Sequence, residues 1–167
     1  NLRAAISRSI ARPSFREIAP TSYFDYKAGY YKSGNPDLEI GYIYNFDLRW
    51  EWFFNRGEIV SFSAFYKHFE NPIELYVPQT ASNLEVMFIN TDKSTLYGAE
   101  FEARKNLDVM LKGLKIGANF TYNYSSVKVK DSIKIDMGIT ERTQTGHAPY
   151  IINAYIGYDN DSIQLET

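Results

Sequence analysis

The chain contains no cysteine, which excludes disulfide staples, thiolate metal sites and cysteine nucleophiles while leaving the redox compartment open. Histidine is scarce. His68 and His147 have no further ligand at metal-site spacing, so no metal centre is expected and both read as polar rim residues. Charge of one sign is lacking as well: 18 Lys and Arg stand against 20 Asp and Glu, a formal net charge of −2 with no like-charged run. A nucleic-acid partner is therefore not expected. No apolar stretch approaches the roughly 18 residues of a membrane helix, and Asn1-Leu2-Arg3-Ala4 does not read as a signal peptide. Any membrane role must rest on strands. A phosphate-cradling glycine loop, a dinucleotide fingerprint and a Ser/His/Asp order are also missing, so no catalytic residue and no cofactor is assigned, and the chain is not read as an enzyme.

What the 167 residues do have is aromatic rings: 14 Tyr, 11 Phe and 2 Trp. Such residues favour strands. Tyr42, Tyr44, Phe46, Leu48, Trp50, Trp52 and Phe54 fill every even position from 42 to 54, with Asn45, Asp47, Arg49 and Glu51 between them. Steps of two residues scatter side chains around a helix but align them on one face of a strand. The same period predicts strands over 59–68, 95–105, 114–124 and 150–158, with weaker ones at 2–10 and from Ser162 onward. About seven antiparallel strands result, an all-β chain. Thirteen residues for 42–54 is about double the usual strand of a soluble protein and long enough to cross a bilayer with tilt.

The connections alternate in length. Asn55-Arg56-Gly57-Glu58, residues 106–113 and Asp159-Asn160-Asp161 read as short turns, whereas 11–40, 70–94 and 126–148 are long. Asp and Asn in the last turn suit its backbone angles and do not require calcium. Short turns at one end and long loops at the other match an outer-membrane barrel, with turns periplasmic and loops extracellular.

Alternation alone does not separate such a barrel from a soluble sheet packed on a second layer. Tyr and Trp near both ends of the apolar face favour the barrel, because their rings suit headgroup regions. On this reading Tyr42, Tyr44, Phe46, Leu48, Trp50, Trp52, Phe120 and Tyr122 face lipid. Asn45, Asp47, Arg49, Glu51, Glu100, Glu102, Arg104 and Asn119 face a lumen or plug, where charge is tolerated. Glu100 and Glu102 resemble an acid/base pair, but Arg104 on the same face favours a charge-compensated wall. The sequons at Asn119 and Asn123 fall on that face too. For ligand contact, the candidates are Tyr23, Phe24, Tyr26, Lys27, Tyr30 and Tyr31, set against the alternative that they pack on neighbouring loops or top a hairpin.

The order of several short pieces resembles a known family. Arg8-Ser9-Ile10-Ala11-Arg12-Pro13-Ser14-Phe15-Arg16-Glu17-Ile18-Ala19-Pro20 is followed by Gly34-Asn35-Pro36-Asp37-Leu38, Phe65-Tyr66-Lys67 and Asn71-Pro72-Ile73. Asn90, Tyr97-Gly98-Ala99-Glu100-Phe101-Glu102 and Pro149-Tyr150-Ile151-Ile152-Asn153-Ala154 come next. Together they resemble the late barrel of TonB-dependent outer-membrane receptors, particularly the Bacteroidetes type. The resemblance implies an up-and-down barrel of about 22 strands around an amino-terminal plug, of which residues 1–167 are a part, with the plug, the TonB-engaging box and the final strands outside it. It further implies a Gram-negative outer membrane, and as partners outer-membrane lipid, the plug, TonB and an imported siderophore, vitamin, glycan or peptide. A passive porin or structural barrel, or a soluble carbohydrate-binding sheet, stands as the alternative.

Overall fold

Where side-chain character alternates every two residues, the chain extends and pairs with its neighbours. A computed structural model describes residues 1–77, 85–128, 141–160 and 163–166. In chain order the elements are β1 (Leu2–Ala11), helical turn α1 (Phe15–Ile18), β2 (Ser22–Asp25), β3 (Tyr30–Ser33), β4 (Gly41–Phe53) and β5 (Ile59–Glu70). There follow β6 (Ile73–Tyr76), β7 (Glu85–Asn90), β8 (Lys93–Asn106), β9 (Leu114–Lys128), β10 (Glu141–Arg142), β11 (Tyr150–Asn160) and β12 (Ile163–Glu166). The main sheet runs β1-β4-β5-β8-β9-β11-β12, with β10 added on β9. Every pairing in it is antiparallel. These seven long-path strands are the seven expected from the sequence, and the barrel is not closed within this chain.

Register aligns like with like across the sheet. Leu2, Trp50, Phe62, Phe101, Phe120 and Ile152 form one continuous row. Two residues further along lie Ala4, Leu48, Ala64, Ala99, Tyr122 and Tyr150, and then Ile6, Phe46, Tyr66, Tyr97 and Tyr124. Nearer the long connections the same face turns polar, first with Arg8, Tyr44, His68, Thr95 and Ser126. Beyond these come Ile10, Tyr42, Glu70, Lys93, Lys128 and Glu141. A one-residue slip of β4 would place Asp47, Arg49 and Glu51 in the apolar rows, and a slip of β9 would place Asn119, Thr121 and Asn123 there, so the two-residue period itself pins the register.

The apolar rows have no covering layer among the described residues: Phe46 is 43% exposed, Phe62 49% and Ile152 65%. Buried hydrophobic side chains there are limited to Ile59, Val86 and Val127, whereas Glu51, Ser61, Ser94 and Ser125 on the opposite face are buried. That distribution inverts the usual soluble pattern. At the short-turn end, Gly113 sits at φ +85°, and its carbonyl accepts from the Asp159 N–H at 2.9 Å. A Cβ at Gly113 would meet the Asp159 carbonyl oxygen. On the polar face the Tyr155 ring lies across Gly117, where any side chain would collide with it.

The long connections 11–40 and 70–94 carry strands of their own. They build a second sheet, ordered β2-β3-β7-β6. Its central pairing, β3 with β7, is parallel and joins the two connections. Asn90 reinforces the junction: its Oδ1 accepts from the Glu39 N–H at 2.7 Å, and its Nδ2 donates to the carbonyls of Glu39 and Asn71. These strands of four to six residues escape the period test because tertiary pairing, not alternation, selects them.

Candidate functional site

The polar face of the main sheet carries a chain of charges. Arg49 lies between two carboxylates, with Nε 2.8 Å from Glu51 and Nη2 3.0 Å from Glu102. Arg3 meets Glu51 at 3.2 Å, and Arg104 meets Glu102 at 2.9 Å. Ser63 accepts from Arg49 Nη1, Ser61 donates to Glu102, and Asn153 donates to Asn119 at 2.8 Å. Strand alternation puts all of these on one side. Glu100 stands on the same face without an ion pair among the described residues, whereas Glu102 is held by Arg49 and Arg104. Asn45 donates to Ser7 and Ser9, and Asp47 lines a cavity nearer the long connections.

That cavity, of about 540 Å³, lies between the polar face and residues 144–148, with Asp47, Phe65, Lys67, Leu96 and Asn123 in its wall. Residues 141–148 are fastened across the sheet by side chains. Gln144 donates from its backbone to Ser125 Oγ at 3.1 Å and from Nε2 to Ser94 Oγ at 2.9 Å. His147 Nε2 lies 3.2 Å from the Asn123 carbonyl oxygen. Arg142 Nη2 reaches Glu74 Oε2 at 3.0 Å and the Leu75 carbonyl at 3.1 Å, while the Thr145 hydroxyl donates to the same Glu74 oxygen at 2.9 Å. Glu74 is buried, so it needs these donors.

The aromatic segment expected to bind ligand is the β2–β3 hairpin. Phe24 contacts Tyr26 and Tyr31 edge-on, with centroids 5.1 and 5.2 Å apart. Tyr26 is 90% exposed. Tyr23 and Tyr30 belong to the other hairpin face with Lys32, as the register pairs Tyr23 with Lys32 and Asp25 with Tyr30. Lys27 is exposed in the turn, its backbone N–H donating to Asp25. Of the six candidates, then, three form a cluster and three do not. Lys32 donates to Asp25 at 2.7 Å, and this bond, with turn N–H groups from Ala28 and Lys27, holds the Asp25 carboxyl below the ordinary value of 3.8. The same bond raises the Lys32 ammonium above 10.5. At the short-turn end, Asn55, the Asn106 N–H and Lys105 hold Glu58 below the usual carboxylate range.

The two histidines lie on opposite faces, His68 beside Tyr44 on the aromatic side and His147 over the cavity. Sequence reading missed Glu74, Arg142, Gln144 and Thr145. The bonds that fasten them to the sheet and to Glu74 span 19 to 71 residues, and no local pattern announces such bonds.

A family model described as TonB dependent receptor-like, beta-barrel, matches residues 1–164. The chain belongs to the TonB-dependent receptor β-barrel family. Members of this family are transporters rather than enzymes. Among solved structures, the siderophore receptor PirA from Pseudomonas aeruginosa is similar at a TM-score of 0.60 and 17% identity, over 94% of this chain and 24% of PirA. A mutant of the ferric enterobactin receptor PfeA from the same organism, in complex with enterobactin, gives 0.62 and 17%, over 99% of this chain and 24% of PfeA. PfeA in complex with BCV-L6 gives 0.59 and 21%, over 94% and 23%. The chain therefore spans about a quarter of the length of these receptors, and the likeness is one of fold. No curated protein matches.

Proposed function

We propose that this chain is part of the wall and loops of a Gram-negative outer-membrane receptor that imports a nutrient by TonB-energised transport. The observation that carries the reading is the uncovered aromatic face. From Tyr42 to Trp52 the strand runs about 33 Å, or about 25 Å of depth at a tilt of about 40°, enough to carry the apolar rows from Phe46 to Trp52 together with the polar rim rows at Tyr44 and Tyr42. Tyr42, Tyr44, Phe46, Leu48, Trp50, Trp52, Phe120 and Tyr122 then face lipid. The turns at 54–58 and 107–113 are periplasmic and the second sheet is extracellular.

The charged face looks inward. Asn45, Asp47, Arg49, Glu51, Glu100, Glu102, Arg104 and Asn119 meet water or a plug supplied by the rest of the receptor, where compensated charge gives a polar wall without a strong net field. Cargo first meets the Phe24, Tyr26 and Tyr31 cluster, then the cavity below residues 144–148, and passes when TonB displaces the plug. Because PirA and PfeA are siderophore receptors, ferric siderophores are the first cargoes to screen, ahead of vitamins, glycans and peptides.

Two measurements on the complete receptor test this. A fluorophore on Leu48→Cys should be quenched by lipids brominated in their acyl chains, whereas one on Asn119→Cys should not; equal quenching rejects the assignment of faces. Cells lacking TonB should lose uptake of the cargo. Undiminished uptake would favour a passive porin.

A further inference from the structure

Toward the long connections the aromatic face changes chemistry within two rows. The tyrosines Tyr66, Tyr97 and Tyr124 are followed by hydroxyls and an imidazole, and then by charge. In the charged row Lys93 and Lys128 stand directly opposite one another on β8 and β9. Like charges in that position repel. Neither ammonium has an ion-pair partner within 4 Å among the described residues. The flanking carboxylates have other donors: the Tyr44 hydroxyl donates to Glu70 at 3.4 Å and the Ser126 hydroxyl to Glu141 at 3.3 Å.

A cavity of about 120 Å³ lies at the two lysines, lined also by His68, Ser94, Thr95 and Ser126. Two ammonium groups and the Thr95 hydroxyl around one space are a donor set for a phosphate group. On the same rim Arg8 lies over the Tyr42 ring at 4.1 Å, a third cation without a carboxylate partner among the described residues. The location selects the source of the phosphate. Directly beside the cavity begins the field of tyrosines and phenylalanines, the chemistry of a headgroup boundary.

We propose that Lys93 and Lys128 clamp the phosphate of an outer-leaflet lipid, with Thr95 donating to its oxygens. The proposal rests on the aromatic face being the lipid-facing one. Bound there, the anion relieves the repulsion between the lysines and fixes the height of the barrel in the leaflet.

The test uses the complete receptor and native mass spectrometry, with diphosphorylated lipid A and its dephosphorylated form as probes. The native receptor should retain the phosphorylated probe and release the other. In Lys93→Gln/Lys128→Gln, retention should fall about thirtyfold, on the scale known for two lysines against an anionic membrane surface. Lys105→Gln, at the opposite rim, should retain the probe like the native receptor. Undiminished retention by the double variant, equal retention of both probes, or displacement of the lipid by millimolar inorganic phosphate would each overturn the clamp. Quenching at Leu48→Cys, measured in parallel, separates the failures: a quenched label with no phosphate selectivity rejects the clamp alone, and an unquenched label rejects the face assignment beneath it.

Discussion

Glu74 shows how one buried carboxylate organises a loop. It receives Arg142 and Thr145 together, so Arg142→Ala leaves a buried charge with one hydroxyl and a long backbone contact. Local destabilisation of about 2 kcal/mol follows from the loss of a charge-assisted bond. Hydrogen exchange should accelerate across 141–148 while β8 and β9 remain protected; unchanged exchange would contradict this. The Asp25–Lys32 pair gives a pH window at the hairpin. Asp25 is depressed below 3.8, so its contribution is present above that value and disappears as pH falls through the folded-state value. Lys32 is raised above 10.5, so its contribution is present below that value and is lost as pH rises through the still higher folded-state value. Protection of the Tyr30–Ser33 amides, corrected for intrinsic base-catalysed exchange, should therefore be highest between these limits and fall beyond either. Protection that falls steadily across neutral pH would contradict the pairing.

Among elements, the long strands respond to substitution according to face. Leu48→Arg places a charge in the middle of an apolar row and should cost about 2 to 4 kcal/mol in a lipid folding titration, whereas Asn119→Ala should cost little. Equal effects would remove the distinction between faces. Gly113→Ala combines a left-handed backbone with a collision at the Asp159 carbonyl, and a loss above about 1 kcal/mol is expected in the same titration. The long strands were legible beforehand because Tyr42 to Trp52 and Leu114 to Tyr124 each repeat every two residues over many positions. The second sheet was not, since β3 and β7 are short and meet across more than fifty residues of chain. The charge-compensated wall was read from Glu102 and Arg104 on one face, but the central place of Arg49, shared by two carboxylates on its own and a distant strand, needed the register. The aromatic hairpin was foreseen in composition and only half in geometry: Phe24, Tyr26 and Tyr31 converge, whereas Tyr23 and Tyr30 turn to Lys32.

At the scale of the whole molecule, the main sheet has two unlike faces and few buried apolar side chains among the described residues, so its stability depends on the surroundings it is given. Transferred from lipid to plain buffer, the complete receptor should lose cooperative unfolding and associate through its aromatic rows. A monomer with sharp, dispersed spectra in buffer would instead support a soluble sheet.

The parallel pairing of β3 with β7 reaches into how such receptors change their preferences. Two connections that emerge from different hairpins share backbone bonds, so neither can be exchanged with a relative's while the other is kept. Chimaeras carrying a foreign 11–40 should assemble only when 70–94 is transplanted with it, and natural lineages should gain or lose length in the two segments together.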